Sequence, residues 1–360
     1  MDGAYRMELQ YRPDFEEVRT RWRAYWAHEV IDRPVVFLTA PKDPANPPRY
    51  PKELIQAYAS PAAMFDAFET WAAGTYFAGE SVPFLNASYG TDQFSSYFGT
   101  TVVPAPDFET AWAHPVVDDW DGYEVRFRDG PGSEFEKALA YFREGAKRSE
   151  GKFLLGMLDL HSNLDCLSAL RGPEALCMDF YDAPEAVDAA MKVVRAAYRP
   201  IYDRLYEAGG MQGRGSIGWI PFYCEDRFAG IQSDVIAMLS PEQFRRHVRP
   251  ALEEEAAMLD HCVFHLDGKD ALRHLDDLLE IEEIDAIQWV PGAGQPRTVE
   301  WMDVLKRIQK AGKGLHLYDW HIEEIKRLHK ELRPEGLMFQ AWGDDVAEAD
   351  GLLEFLKKDT

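Results

Sequence analysis

A histidine and a carboxylate two residues apart, His265 and Asp267, close the apolar run Cys262-Val263-Phe264 and are followed at once by Gly268. Side chains two apart on a strand share a face, so the imidazole and the carboxylate point the same way. Such a pair is either half of a metal site or an acid/base couple. The bland alternative is a histidine hydrogen-bonded to a helix-capping aspartate. Gly268 lets the backbone turn into the helix-like segment beyond it.

The same two-residue spacing recurs as Asp159/His161, Tyr223/Glu225 and Asp319/His321. Each pair falls at the end of a predicted strand, and burying ionisable groups without a purpose is costly. The candidate catalytic residues are therefore Asp159, His161, Tyr223, Glu225 and Asp319. Amide, phenol and indole side chains at the same strand ends, suited to holding a small-molecule substrate, are Asn86, Tyr89, Asn163, Trp219, Gln288, Trp289, Gln340 and Trp342. Candidate metal ligands are His265 and Asp267, with Cys224 and Glu225 to complete the set.

The elements that must position these residues alternate. From about residue 150, short apolar runs alternate with amphipathic helical stretches, which implies parallel strands with helical crossovers. Strand starts are predicted at residues 33, 82, 152, 215, 262, 285, 314 and 337. Eight strand–helix units predict an α/β chain, a single (β/α)8 TIM barrel over residues 33–360 behind an N-terminal helical extension at 1–32. In that architecture the carboxyl ends of the strands form the active-site face. Ser240-Pro241-Glu242-Gln243 carries a capping-box pattern for a helix. The glycine-rich stretch 209–215 precedes a strand rather than following one, so it is no dinucleotide fingerprint. The proline-rich stretch 41–51 is expected to run as a loop over one barrel mouth.

Composition narrows the function classes. With 46% hydrophobic residues the 360-residue chain can bury a large core. A net charge of −23 repels phosphate backbones and anionic lipid, which speaks against nucleic-acid and membrane-surface partners. No stretch approaches the roughly 20 apolar residues of a membrane span. The cysteines, at 166, 177, 224 and 262, contain no CxxC, so neither a zinc ribbon nor a disulfide framework is expected. A cytoplasmic location is the expectation.

With these residues in view, the chain resembles the uroporphyrinogen decarboxylase superfamily, which includes the decarboxylase and the zinc-dependent corrinoid and coenzyme M methyltransferases. The resemblance runs from about Arg33 to the C-terminus. It is strongest through Gly230-Ile231-Gln232-Ser233, Leu239-Ser240-Pro241-Glu242-Gln243-Phe244 and His265-Leu266-Asp267-Gly268. It implies a single barrel, Zn2+ or another divalent metal in the strand-end funnel, a corrinoid carried by a partner protein, and a homodimer. Asp267 stands where the methyltransferases have the cysteine of a His-x-Cys-Gly motif, and Phe339-Gln340-Ala341-Trp342 offers no thiol. Carboxylate in place of thiolate makes a harder, more Lewis-acidic site. The arginine-rich N-terminal signature of the decarboxylase is also absent, its place taken by Arg33-Pro34-Val35-Val36. An acid-lined funnel would repel a carboxylate-rich tetrapyrrole.

The resulting expectation is a metal-assisted methyltransferase or demethylase acting on a small methylated compound. The alternatives are a decarboxylase or lyase of a small non-porphyrin substrate, a sugar hydrolase using Glu225 and Asp267 as paired carboxylates, and a non-catalytic binding barrel.

Overall fold

Val35 and Val36 open the first strand directly after Pro34, and the chain then lays down strands and helices around one central sheet. The computed structural model describes residues 7–51, 60–86, 88, 90–104, 111–318 and 321–360. The strands in chain order are β1 (Val35–Pro41), β2 (Thr75–Gly79), β3 (Phe84–Asn86), β4 (Thr101–Pro104), β5 (Ala111–His114), β6 (Leu154–Gly156) and β7 (Ser216–Ile217). They continue as β8 (Tyr223–Cys224), β9 (Phe228–Gln232), β10 (His261–Asp267), β11 (Ala286–Val290), β12 (Gly314–Tyr318) and β13 (Leu337–Trp342). The main sheet has seven strands in the order β2-β1-β13-β12-β11-β10-β9. All its pairings are parallel except β1 with β2. β3 and β6 form a separate parallel pair, linked to β7 by a bridge between Met157 and Gly218.

The architecture is therefore α/β and barrel-like, but the sheet is not closed, which corrects the expected closed eight-stranded barrel. Two causes are visible. Against β1 the chain places the antiparallel β2 rather than β3. The strand expected from residue 215 also ends after two residues and folds back, β7 pairing antiparallel with β8. The reversal occurs at Pro221, which offers no N–H to a ladder, and Phe222 N–H donates to the Ile220 carbonyl at 2.8 Å across it. The strand beside β10 is instead Phe228–Gln232, a short apolar run outside the eight expected strands.

Alternation along the strands separates two cores. Cys262, Phe264 and Leu266 of β10 pack outward against helices, whereas Val263 joins an inner cluster with Val35, Phe37, Leu154, Ala286 and Met338. The inner cluster is closed at one end by the helix Phe15–Trp26, which buries Phe15, Val18, Trp22 and Tyr25 on one face. Trp26 stacks on His261, the first residue of β10, with centroids 4.2 Å apart. Its indole N–H donates to the Tyr223 carbonyl at 2.9 Å. The N-terminal helix thus seals the amino ends of the strands and leaves the carboxyl ends for a site. The capping box at Ser240 and Gln243 forms as the sequence predicts. No helix among the described residues is long and apolar enough to cross a membrane.

Candidate functional site

Inward-facing positions change from apolar to polar as the strands run toward their carboxyl ends. On β10 the inner face reads Val263, His265, Asp267, and on β11 it reads Ala286, Gln288. His265 is the register partner of both Gln288 on β11 and Gln232 on β9. Its Nδ1 is hydrogen-bonded to the Gln288 side-chain oxygen. An amide oxygen only accepts, so Nδ1 carries a proton, and in the neutral ring Nε2 is the nitrogen with the lone pair. Trp219 meets the His265 ring edge-on, with centroids 5.1 Å apart.

Asp234, His265 and Asp267 each offer a ligand atom, and these atoms lie within 4.8 Å of one another. Among the described residues, Oδ1 of Asp267 is buried without a hydrogen-bond partner. Burial pushes the Asp267 carboxyl above its usual range, with Asp234 adding to the shift and the charge of His265 opposing it. An orphaned carboxylate oxygen, a second carboxylate and an imidazole oriented through its far nitrogen make a donor set that fits a divalent cation.

Asp234 owes its place to residues outside this trio. The Asp165 carboxylate accepts the backbone N–H of Asp234 at 2.8 Å and of Val235 at 2.9 Å, fixing the turn that opens the 3-10 helix Asp234–Met238. His161 stands among carboxylates, its Nε2 3.3 Å from Asp234 and 3.4 Å from Asp165, and its Nδ1 3.7 Å from Asp92. Burial alone would neutralise His161, but Asp165, Asp234, Asp92 and Asp159 outweigh it and hold the imidazolium well past its ordinary range. Burial opposes ionisation of Asp234 too, yet His161 keeps that carboxyl below its usual value. Desolvation pushes Asp159 up to about 7, and its Oδ1 accepts the Gln232 amide at 2.7 Å. Behind this layer Glu255, pushed up to about 8 by burial, accepts from Ser162 at 2.6 Å.

Across Trp219 from His265, between the ends of β1, β3 and β13, lies a cavity of about 480 Å³. Trp219, Asn86, Gln340 and Trp342 line it, as do Pro47 and Pro48 from the proline-rich loop. The structure thus brings Asp159, His161, His265, Asp267, Gln288 and these four to one end of the sheet. Tyr89 and Asp319 lie outside the described residues.

Other expectations need correction. Tyr223, Cys224 and Glu225 sit at the opposite end, because the β7–β8 hairpin carries them back beneath the N-terminal helix. Glu225 binds Arg23 through both carboxylate oxygens at 2.7 and 2.8 Å and also pairs with Arg19. The Arg23 hydrogen bond leads in holding its carboxyl low despite partial burial. Burial pushes the Cys224 thiol up to about 12, and the Tyr223 hydroxyl donates to the Arg214 carbonyl at 3.0 Å. Glu225 shares a surface pocket with His261, six residues before Asp267 on β10 and so about 20 Å away at strand rise. That separation removes Glu225 and Cys224 from the metal set and Glu225 from a carboxylate pair with Asp267. Trp289 packs against Trp301, with centroids 5.2 Å apart, and lines a second cavity of about 440 Å³ together with Asp267, Tyr318 and His321, so it stays at the strand ends as expected. Asn163 is fully buried at φ 44°, its amide donating to the Gln232 carbonyl at 2.9 Å, and it supports the chain rather than a substrate.

The sequence reading missed Asp234, Gln232 and Asp92. For Asp234 the signal was present: Gln232-Ser233-Asp234 ends an apolar run just as His265-Leu266-Asp267 does.

No protein-family model matches the chain, and no curated protein matches it by sequence. The fold does have solved counterparts. Over 95% of this chain and 98% of the other, it is similar to a methyltransferase from Methanosarcina mazei, with a TM-score of 0.60 at 14% sequence identity. At that identity the likeness establishes the shared α/β barrel-like fold.

Proposed function

We propose that the protein is a metal-assisted methyltransferase or demethylase of small methylated compounds. The observation that carries this reading is the convergence of donor atoms from Asp234, His265 and Asp267 within 4.8 Å at the carboxyl ends of the strands. The fold shared with a methyltransferase supports it. The three residues would hold zinc or another divalent ion, which when bound supplies Lewis acidity toward the substrate heteroatom. Gln288 orients His265 by holding its Nδ1 proton. His161 keeps Asp234 ionised and in place.

In the reaction the carbon–heteroatom bond breaks, the methyl group passes to an acceptor, and the electron pair stays on the heteroatom. The proton that neutralises this heteroatom would come from Asp159, whose carboxyl burial pushes up to about 7 at the same end of the sheet. A corrinoid on a partner protein is the proposed acceptor. Elemental analysis of purified protein tests the reading: about one divalent ion per chain is expected, lost in Asp234→Asn and Asp267→Asn. Methyl transfer that survives exhaustive chelation would overturn the metal role.

A further inference from the structure

The cavity across Trp219 from His265 has a chemistry that narrows the substrate. Six aromatic side chains wall it: Phe37, Tyr50, Trp71, Phe84, Trp219 and Trp342. Among the described residues that line it there is no Asp, Glu, Lys, Arg or His. Its polar groups are threonine hydroxyls, the Tyr50 hydroxyl, the indole N–H groups of its tryptophans, of which that of Trp219 is buried without a partner among the described residues, and two amides, Asn86 and Gln340. The Gln340 oxygen is engaged by His316 Nε2 at 3.0 Å, and the Asn86 oxygen accepts the Ser88 N–H at 3.2 Å. Each amide therefore has its nitrogen left to donate, so the polar part of a ligand should be an acceptor such as an ether or phenol oxygen.

We infer that the substrate is a neutral, flat aromatic methyl ether or methyl thioether. This deepens the methyl-transfer reading and rests on it. Three features favour that class. Burying a carboxylate, sulfonate or phosphate here without a cationic partner is strongly disfavoured, and a net charge of −23 adds long-range repulsion. A quaternary ammonium suits aromatic walls, but its nitrogen has no lone pair for a Lewis acid to engage. A volume of about 480 Å³ suits a ring-sized molecule and far exceeds what methanol or methylamine would fill. Trp219 connects the two parts of the site, lining the cavity and meeting His265 at 5.1 Å. A ring held against Trp219 would place its methylated heteroatom on the His265 side of the cavity.

The test is calorimetric titration of the full chain, once treated with EDTA and once loaded with zinc. The probes are 2-methoxyphenol, its ring-carboxylated analogue 4-hydroxy-3-methoxybenzoate, and phenyltrimethylammonium. Saturable binding of 2-methoxyphenol is expected in both preparations, with the carboxylate at least about tenfold weaker. Trp342→Ala and Trp71→Ala should each weaken 2-methoxyphenol about tenfold, since each removes one aromatic wall. Binding of the carboxylate or the ammonium as tight as that of 2-methoxyphenol would overturn the assignment, as would absence of saturable binding in both preparations. These comparisons use the wild-type chain, so they stand whether or not a variant folds. Failure of the metal reading is separately visible: 2-methoxyphenol would bind while no zinc is retained.

Discussion

His265 and Gln288 face each other across β10 and β11, and the imidazole donates its Nδ1 proton to the glutamine side-chain oxygen. That one bond selects the tautomer whose Nε2 lone pair can reach a cation. Replacing Gln288 by Leu keeps the bulk and removes the acceptor. Affinity for zinc, read by competition with a chromophoric chelator, should fall about 10–100-fold. An unchanged affinity would show that Gln288 does not orient the ligand.

Glu225 separates two views of the site. In the sequence it belongs with the metal ligands; in the folded chain it clasps Arg19 and Arg23 at the far end. Glu225→Gln and Cys224→Ser should therefore leave zinc stoichiometry unchanged. Glu225 is partly exposed, so Glu225→Gln should cost no more than about 1 kcal/mol in denaturant unfolding. Loss of metal in either variant would contradict the hairpin geometry.

Buried acids behind the site set a pH dependence of stability. Glu255 titrates near 8 in the folded chain, because burial disfavours its charge, against 4.5 as its ordinary value. Between these values the folded state holds a proton that the unfolded state has released, so stability falls as pH rises. One such proton contributes a slope of at most about 1.4 kcal/mol per pH unit. Asp159, raised to about 7, acts in the same direction. His161, raised by its carboxylates, likewise stabilises the fold at low pH and loses that contribution as pH passes its folded value. Glu255→Gln removes one of these protons from the balance. The difference in melting temperature between variant and wild type should shift in the variant's favour from pH 5 to pH 9. A difference independent of pH would mean that Glu255 ionises without penalty.

Much of the fold was legible because strand signals are local. The apolar runs at 33–40, 262–266, 285–290 and 337–342 match β1, β10, β11 and β13 closely. The face shared by His265 and Asp267 followed from strand periodicity alone, and Val263 confirms it by packing inward while Phe264 packs outward. The reading failed around residues 215–232. The apolar stretch 215–222 reads as one strand, whereas its Pro221 turns the chain through a γ-turn and carries Tyr223, Cys224 and Glu225 to the opposite end. The true strand lay six residues further on, so its polar terminus, Asp234, was overlooked.

By itself the sequence determined the α/β alternation, the polar strand ends and the inward pairing of His265 with Asp267, because each depends on neighbours a few residues apart. Only the tertiary structure decided which carboxylate joins that pair and which belongs to the far side. That choice depends on where separate strands sit in the sheet: β9 lies beside β10, and β8 folds back beneath the N-terminal helix. Spacing along one strand carries no record of the strand that will lie next to it.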